Sequence, residues 1–131
     1  MNVPSSRARI ASIALALSNL IAGLSYVLRP PSVATLSTIN SYAGGIPVVG
    51  TILISTAVLI LIGWIGNLRV PALIGHGISI GAFTMTAVAI SASAWISGTS
   101  WASVGYTATI ALGHLLVAQV IPRRPDPNRR L

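Results

Sequence analysis

The sequence predicts an all-α protein, an integral membrane bundle of four helices, on three observations. The 131 residues are 53% hydrophobic and only 7% charged, whereas soluble domains carry about 25% charged residues. Four apolar runs each approach the roughly 20 residues that a helix needs to cross a bilayer. The basic residues are all Arg, and they lie at the ends of these runs. A water-soluble fold is therefore excluded, and the absence of Cys excludes disulfides and thiolate chemistry.

The first predicted span covers residues 10–28. It is weakly hydrophobic, and Asn19 falls near its middle, where the side-chain amide needs a hydrogen-bond partner on another helix. A cleaved signal peptide is the alternative, because residues 32–34 resemble a small-residue cleavage site. The apolar run is longer than the usual ~7–15 residues of such a signal, and an Arg-Pro-Pro sequence intervenes. A retained helix is therefore the prediction.

The other spans are predicted at residues 46–65, 72–96 and 102–121. Between the first two spans, residues 32–43 are predicted either as a short helix at the membrane interface or as a plain loop. The span 72–96 carries no formal charge, and its many Gly, Ser and Thr residues suit protein contacts better than lipid contacts. It is the predicted centre of the bundle, and residues 122–131 follow the last span as a polar basic tail.

The distribution of Arg predicts the orientation of the spans. With four spans, seven Arg residues fall on one side of the membrane and only Arg29 on the other. The positive-inside rule then places both termini in the cytoplasm. We expect the seven residues to contact anionic lipid headgroups, with no role in binding nucleic acid. They are Arg7, Arg9, Arg69, Arg123, Arg124, Arg129 and Arg130.

Five polar side chains are predicted within the spans: Asn19, His76, Ser79, His114 and Gln119. His76 lies one turn inside its predicted span and is expected to reach headgroups or water. His114 lies deeper and is expected to hydrogen-bond across helices, with Ser79, Thr84 or a polar residue of the first span as the candidate partner. Haem ligation by two histidines conflicts with these different depths, and a two-His metal site lacks carboxylate or thiolate support. No metal and no cofactor are predicted.

The segment from Gly77 to Gly81 matches the G-x-S-x-G pattern of serine hydrolases, with Ser79 as nucleophile and His114 within possible reach. That motif needs a strand–turn–helix context, which the predicted helix does not provide, and an acid to orient the histidine, whereas the only acid, Asp126, lies in the C-terminal tail. The same residues match the G-x-x-x-G pattern of helix packing. The prediction is therefore no enzyme, and helix contacts within the chain or between copies. A second small-residue row for such contacts consists of Gly105, Thr109 and Gly113.

Four features describe the overall layout: a short Arg-containing start, Gly- and hydroxyl-rich helices, Gly98-Thr99-Ser100-Trp101 before the last span, and an Arg-rich tail. This layout resembles small multi-helix membrane proteins of phages of actinobacteria, including holin-like lysis proteins, although holins commonly have fewer than four spans. The resemblance implies accumulation in the inner membrane, self-association, and lesions that release or activate a cell-wall hydrolase. The alternatives are an accessory subunit of a larger membrane complex and a small channel or carrier lined by Ser, Thr and His114.

Overall fold

In a computed structural model of the chain, the described residues form four α-helices with no strand among them, which confirms the all-α prediction. Each helix is long and apolar enough to cross a membrane. The helices are α1 (Ser6–Leu28), α2 (Val48–Ile65), α3 (Arg69–Ser97) and α4 (Trp101–Val120). The structure describes residues 6–29, 37, 40–41, 43–45, 47–97 and 101–121. The predicted cleavage site at 32–34, most of the predicted element 32–43, and the tail 122–131 lie outside these residues.

The observed helix starts differ from the predicted ones for local reasons. Helix α3 begins at Arg69 instead of residue 72, because Pro71 falls in the first turn, where backbone N–H groups need no partner within the helix. Helix α2 begins directly after Pro47, and its first N–H, that of Val48, donates to the side-chain oxygen of Asn40 at 3.1 Å. The connection before α2 thus caps the helix.

A tight turn joins α2 to α3. The N–H of Gly66 donates to the carbonyl of Ile62 at 2.9 Å, and the N–H of Leu68 donates to the carbonyl of Gly63 at 2.6 Å. Between them, Asn67 adopts a left-handed conformation with φ of 53°, which Asn tolerates better than most residues. This turn makes α2 and α3 antiparallel neighbours.

Each helix packs against the next one along the chain, and α4 also contacts α1 over a smaller surface. The start of α1, the end of α2, the start of α3 and the end of α4 meet at one end of the bundle, which we call the α2–α3 end. An apolar cluster closes the bundle near this end. It consists of Ala16, Ile60, Trp64, Ala72, Val117 and Ile121.

Glycines allow the closest approaches between helices. A Cβ atom added to Gly23 of α1 would lie 2.8 Å from the carbonyl oxygen of Gly50 of α2. One added to Gly50 would likewise lie 2.8 Å from the carbonyl oxygen of Gly23. A Cβ atom on Gly75 of α3 would lie 2.6 Å from Cγ1 of Ile60 and 3.0 Å from the carbonyl oxygen of Thr56 on α2. Side chains at these positions would push the helices apart, since interiors are already close-packed.

Candidate functional site

A group of seven polar side chains, which we call the polar network, occupies the interior of the bundle and includes residues from all four helices. Six of them are at most 1% exposed, and the seventh, Trp64, is 7% exposed. The network lies next to the apolar cluster at the α2–α3 end and to a second one formed by Leu53, Phe83 and Ala111. Its members are Ser12, Asn19, Thr56, Trp64, His76, Ser79 and His114.

Asn19 is the branch point of this network. Its amide nitrogen donates to Thr56 Oγ1 at 3.0 Å and to Ser79 Oγ at 2.7 Å. The two hydroxyls must accept these bonds, because their own protons go to carbonyl oxygens of their helices. Thr56 donates to Leu53 at 2.9 Å, and Ser79 donates to Gly75 at 2.7 Å. The carbonyl oxygen of the Asn19 side chain therefore faces away from these two hydroxyls.

That oxygen lies 2.9 Å from Nε2 of His114, which must carry a proton to donate. In a neutral ring, His114 Nδ1 is then bare and accepts from Nδ1 of His76 at 2.7 Å. His76 Nε2 is bare in turn and accepts from the hydroxyl of Ser12 at 2.6 Å. Ser12 finally accepts a hydrogen bond from the indole N–H of Trp64. The donor directions are thus consistent with two neutral histidines of opposite tautomer.

Every side-chain donor of the polar network has an acceptor in this arrangement. Burial of an unpaired polar group is costly, so such pairing is a condition for placing these residues inside an apolar bundle. Ring contacts add to it: the two histidine rings are 4.9 Å apart between centroids, and Phe83 stacks on His114 at 5.9 Å. The network ties α1 to each of the other three helices.

Two expectations about the histidines can now be compared with the structure. The expected bond from His114 to a polar residue of the first span is confirmed in its contact with Asn19. The expectation that His76 reaches headgroups or water is wrong, since the side chain is fully buried. The earlier start of α3 explains the error: His76 lies seven residues into α3, and His114 lies six residues before the end of α4. At 1.5 Å per residue, both lie about 10 Å deep.

The polar network bears directly on the possible Ser–His pair. His114 contacts His76 and Asn19 through its two ring nitrogens, and Ser79 is bonded to Asn19 and to its own helix. The hydroxyl of Ser79 thus donates to a carbonyl, whereas a catalytic nucleophile would donate to a histidine. A metal ion at the histidine pair would have to displace the hydrogen bonds that occupy all four ring nitrogens.

Three of the four glycines that were predicted to pack helices face outward. A Cβ atom added to Gly77, Gly81 or Gly105 would meet no atom of the described residues within 4 Å, and all three positions are exposed. Among the described residues these three glycines make no contact with another helix, because they lie on the sides of α3 and α4 opposite the core. Thr109 is also exposed and donates to the carbonyl of Gly105 at 2.7 Å. Contacts of this row between copies stay a prediction.

Gly113 differs from the rest of its predicted row. A Cβ atom there would lie 3.3 Å from Cδ2 of Leu15, so this glycine faces α1 across the contact between α1 and α4. Gln119, predicted within the last span, is exposed near the end of α4.

The predicted headgroup residues differ in exposure. Arg7 and Arg9 are exposed at the start of α1, whereas Arg69 is half-buried. All three lie at the α2–α3 end of the bundle, as the topology prediction requires. The four remaining ones, Arg123, Arg124, Arg129 and Arg130, lie outside the described residues.

Three members of the network were not predicted: Ser12, Thr56 and Trp64. Helical spacing provides a signal for the first of them, because Ser12 lies two turns before Asn19 on the same face of α1. The buried positions of α1 recur every three or four residues, at Ala8, Ser12, Ala16, Asn19 and Gly23. Thr56 has the same spacing relative to Gly63 on α2, but nothing in the sequence distinguishes it from Thr51 or Ser55, which are exposed.

The fold and the network together define a class of protein: an α-helical bundle with four helices apolar enough to span a membrane and a hydrogen-bonded polar interior. No family model matches the chain, and no curated protein or solved structure is significantly similar to it. The function must therefore be inferred from the geometry of the chain.

Proposed function

We propose that this chain is a multi-pass protein of the bacterial inner membrane, with both termini cytoplasmic, that self-associates and forms lesions in the manner of holin-like proteins. The distribution of side chains supports insertion in a bilayer. Large apolar residues such as Ile21, Val88 and Leu116 are more than half exposed, whereas Asn19 and both histidines are fully buried. Large apolar side chains on the surface, with polar side chains enclosed in the interior, suit lipid and not water.

The open small-residue row on the outer side of α3 carries the proposal of self-association. Gly77 and Gly81 are one turn apart and have no neighbour among the described residues, so a helix from another molecule can approach their backbone closely. Gly105 and Thr109 repeat this spacing on the outer side of α4. Two such faces on one chain allow each copy to contact more than one neighbour, as a lesion that grows by addition of copies requires.

Hydrogen bonding favours a lesion between copies over a channel within one chain. The interior polar side chains bind one another, and exposed hydroxyls bind the backbone of their own helices. Thr51, Ser55 and Thr109 each donate to the carbonyl four residues earlier, at 2.7 to 3.1 Å. These groups need no water, so Ser- and Thr-rich helices alone do not support the small channel or carrier.

An accessory subunit of a larger membrane complex is the second candidate. The same open row on α3 would then contact a different protein, and the internal network would keep the subunit folded until it meets its partner. The two functions predict different behaviour of the isolated chain: only the first one damages a membrane without other proteins.

Controlled expression in a bacterium tests the proposal, with membrane potential and culture density followed over time. We expect abrupt depolarisation for the unaltered chain. Gly81→Leu should abolish it while the protein still accumulates, because the added side chain blocks approach between copies and meets none of the described residues of its own chain. Ala14→Leu, at an exposed position of α1 away from this row, is the matched control and should depolarise like the unaltered chain.

Two outcomes would contradict the lesion. Harmless accumulation of the unaltered chain as a monomer would exclude it, and recovery in a stable complex with another membrane protein would favour the accessory subunit. Equal depolarisation by the unaltered chain and by Gly81→Leu would exclude the α3 row as the contact surface.

The membrane topology can be tested separately, because the chain has no Cys. Single substitutions Ser41→Cys and Leu68→Cys place a thiol in exposed positions of the α1–α2 connection and the α2–α3 turn. In intact spheroplasts, a membrane-impermeant maleimide should label Ser41→Cys but should label Leu68→Cys only after permeabilisation. The reverse pattern would place both termini outside the cytoplasm.

A further inference from the structure

The guanidinium group of Arg69 is the least satisfied polar group in the part of the chain that the structure describes. Its Nε and Nη2 atoms are enclosed and have no hydrogen-bond partner there. Arginine stays charged in proteins, and its five N–H donors have a fixed fork geometry that suits an anion with two oxygens. Since buried polar groups are normally hydrogen-bonded, an orphaned guanidinium indicates a missing acceptor.

The charge around Arg69 points to an anion as that acceptor. The first turn of α3 contains no acidic residue, and the chain has only one carboxylate side chain, Asp126, outside the described residues. Arg7 and Arg9 add two positive charges at the same end of the bundle. The positive end of the α3 helix dipole also lies at Arg69, which disfavours a cation unless an anion neutralises it.

The location of Arg69 narrows the chemistry of this anion. Arg69 follows the α2–α3 turn, at the level where the helices would leave the hydrocarbon layer. We propose that Arg69 holds the phosphate of one phospholipid headgroup, bound against the start of α3. This inference rests on the proposed insertion in a bilayer and not on lesion formation. Free phosphate shares the relevant chemistry, so the test must separate the two sources.

Arg7 provides a contrast within the same end of the bundle. It is exposed on the first turn of α1, where water solvates the charge and attraction to anionic lipid is diffuse. Arg69 is half-buried with two enclosed donors, which favours a bound and oriented phosphate. The two residues therefore form a matched pair for substitution.

Native mass spectrometry of the full-length protein in detergent tests the proposal, with phosphatidylglycerol, diacylglycerol or inorganic phosphate added separately. We expect one phosphatidylglycerol bound to the unaltered chain and to Arg7→Gln, with retention reduced about tenfold in Arg69→Gln. Arg69→Lys keeps the positive charge but lacks the planar guanidinium, so its retention of phosphatidylglycerol should be intermediate. Diacylglycerol, which lacks phosphate, should not bind. Size-exclusion chromatography confirms that each variant is folded.

Each other outcome overturns the proposal in an identifiable way. Equal retention by Arg69→Gln and Arg7→Gln would show diffuse attraction only, and equal binding of diacylglycerol would show contact with acyl chains. Binding of inorganic phosphate without binding of phosphatidylglycerol would show a free-anion site. If the unaltered chain binds none of these and Asp126→Asn destabilises it as much as Arg69→Gln does, the acceptor is the tail carboxylate. Failure of the lesion assay affects none of these results.

Discussion

Gly75 and Gly77 are two residues apart on α3, yet they lie on opposite sides of the helix and meet opposite surroundings. A Cβ atom on Gly75 would come within 2.6 Å of Ile60, whereas one on Gly77 would meet nothing within 4 Å in the part of the chain that the structure describes. The inner side of α3 also carries His76 and Ser79, both fully buried in the polar network. The outer side carries Gly81, which is as open as Gly77.

The comparison shows that one residue type has two different uses on a single helix. On the inner side, glycine permits backbone contact with α2, and its replacement should affect folding of the monomer. On the outer side, glycine leaves a surface that no part of the described chain fills, and its replacement should affect only contacts with other molecules. Substitutions on the two sides can therefore separate folding from association.

The largest loss of stability is expected for Gly75→Leu. The new side chain would collide with Ile60 and with the carbonyl of Thr56, so it should lower the free energy of unfolding by about 3 kcal/mol. Tryptophan fluorescence during unfolding in mixed micelles measures this change. Gly77→Leu is the control on the outer side and should leave the unfolding midpoint unchanged. Equal destabilisation by both variants would remove the distinction between the two sides.

A smaller loss is expected for Asn19→Leu, which breaks the polar network at its branch point. Three interhelical hydrogen bonds disappear, and at about 0.6 kcal/mol for each bond in a membrane protein the loss is about 2 kcal/mol. The same unfolding measurement applies. Ser55→Ala, which removes an exposed hydroxyl bonded to its own helix, should change stability little. An unchanged unfolding midpoint in Asn19→Leu would show that the network does not stabilise the bundle.

Ser79→Ala should have a minor effect, because it removes only one acceptor of Asn19, about 0.6 kcal/mol. Depolarisation in the expression assay should be retained, since the hydroxyl donates to a carbonyl and not to a histidine. Loss of activity with unchanged stability and assembly would instead support the hydrolase alternative.

The last prediction concerns proton positions and involves no change of stability. Nitrogen NMR of the labelled protein in micelles should find His76 protonated at Nδ1 and His114 at Nε2, because the network allows a complete set of donors in that arrangement. The chain has only two histidines, so His76→Gln assigns the two sets of signals. Identical tautomers in both rings would contradict the donor directions of the network.

The sequence was sufficient for the fold class, because four apolar runs with Arg at their ends have few other solutions. It also identified Asn19, His76, Ser79 and His114 as polar residues that a bundle must accommodate, since each lies inside an apolar run. It was not sufficient to pair them. The bond between the two histidines depends on where α3 begins. The predicted helix starts after Pro71 and therefore omits the first three residues of α3.

The side on which each glycine lies was likewise decided only by the tertiary structure. In the sequence, Gly75, Gly77 and Gly81 are equivalent small residues, and the Gly77–Gly81 spacing matches a packing motif better than Gly75 does. Periodicity shows which residues share a face, but the face that turns inward depends on where neighbouring helices cross. Hydrophobicity does not identify that face, because large apolar side chains lie on the outer surface of this bundle as well as in its core.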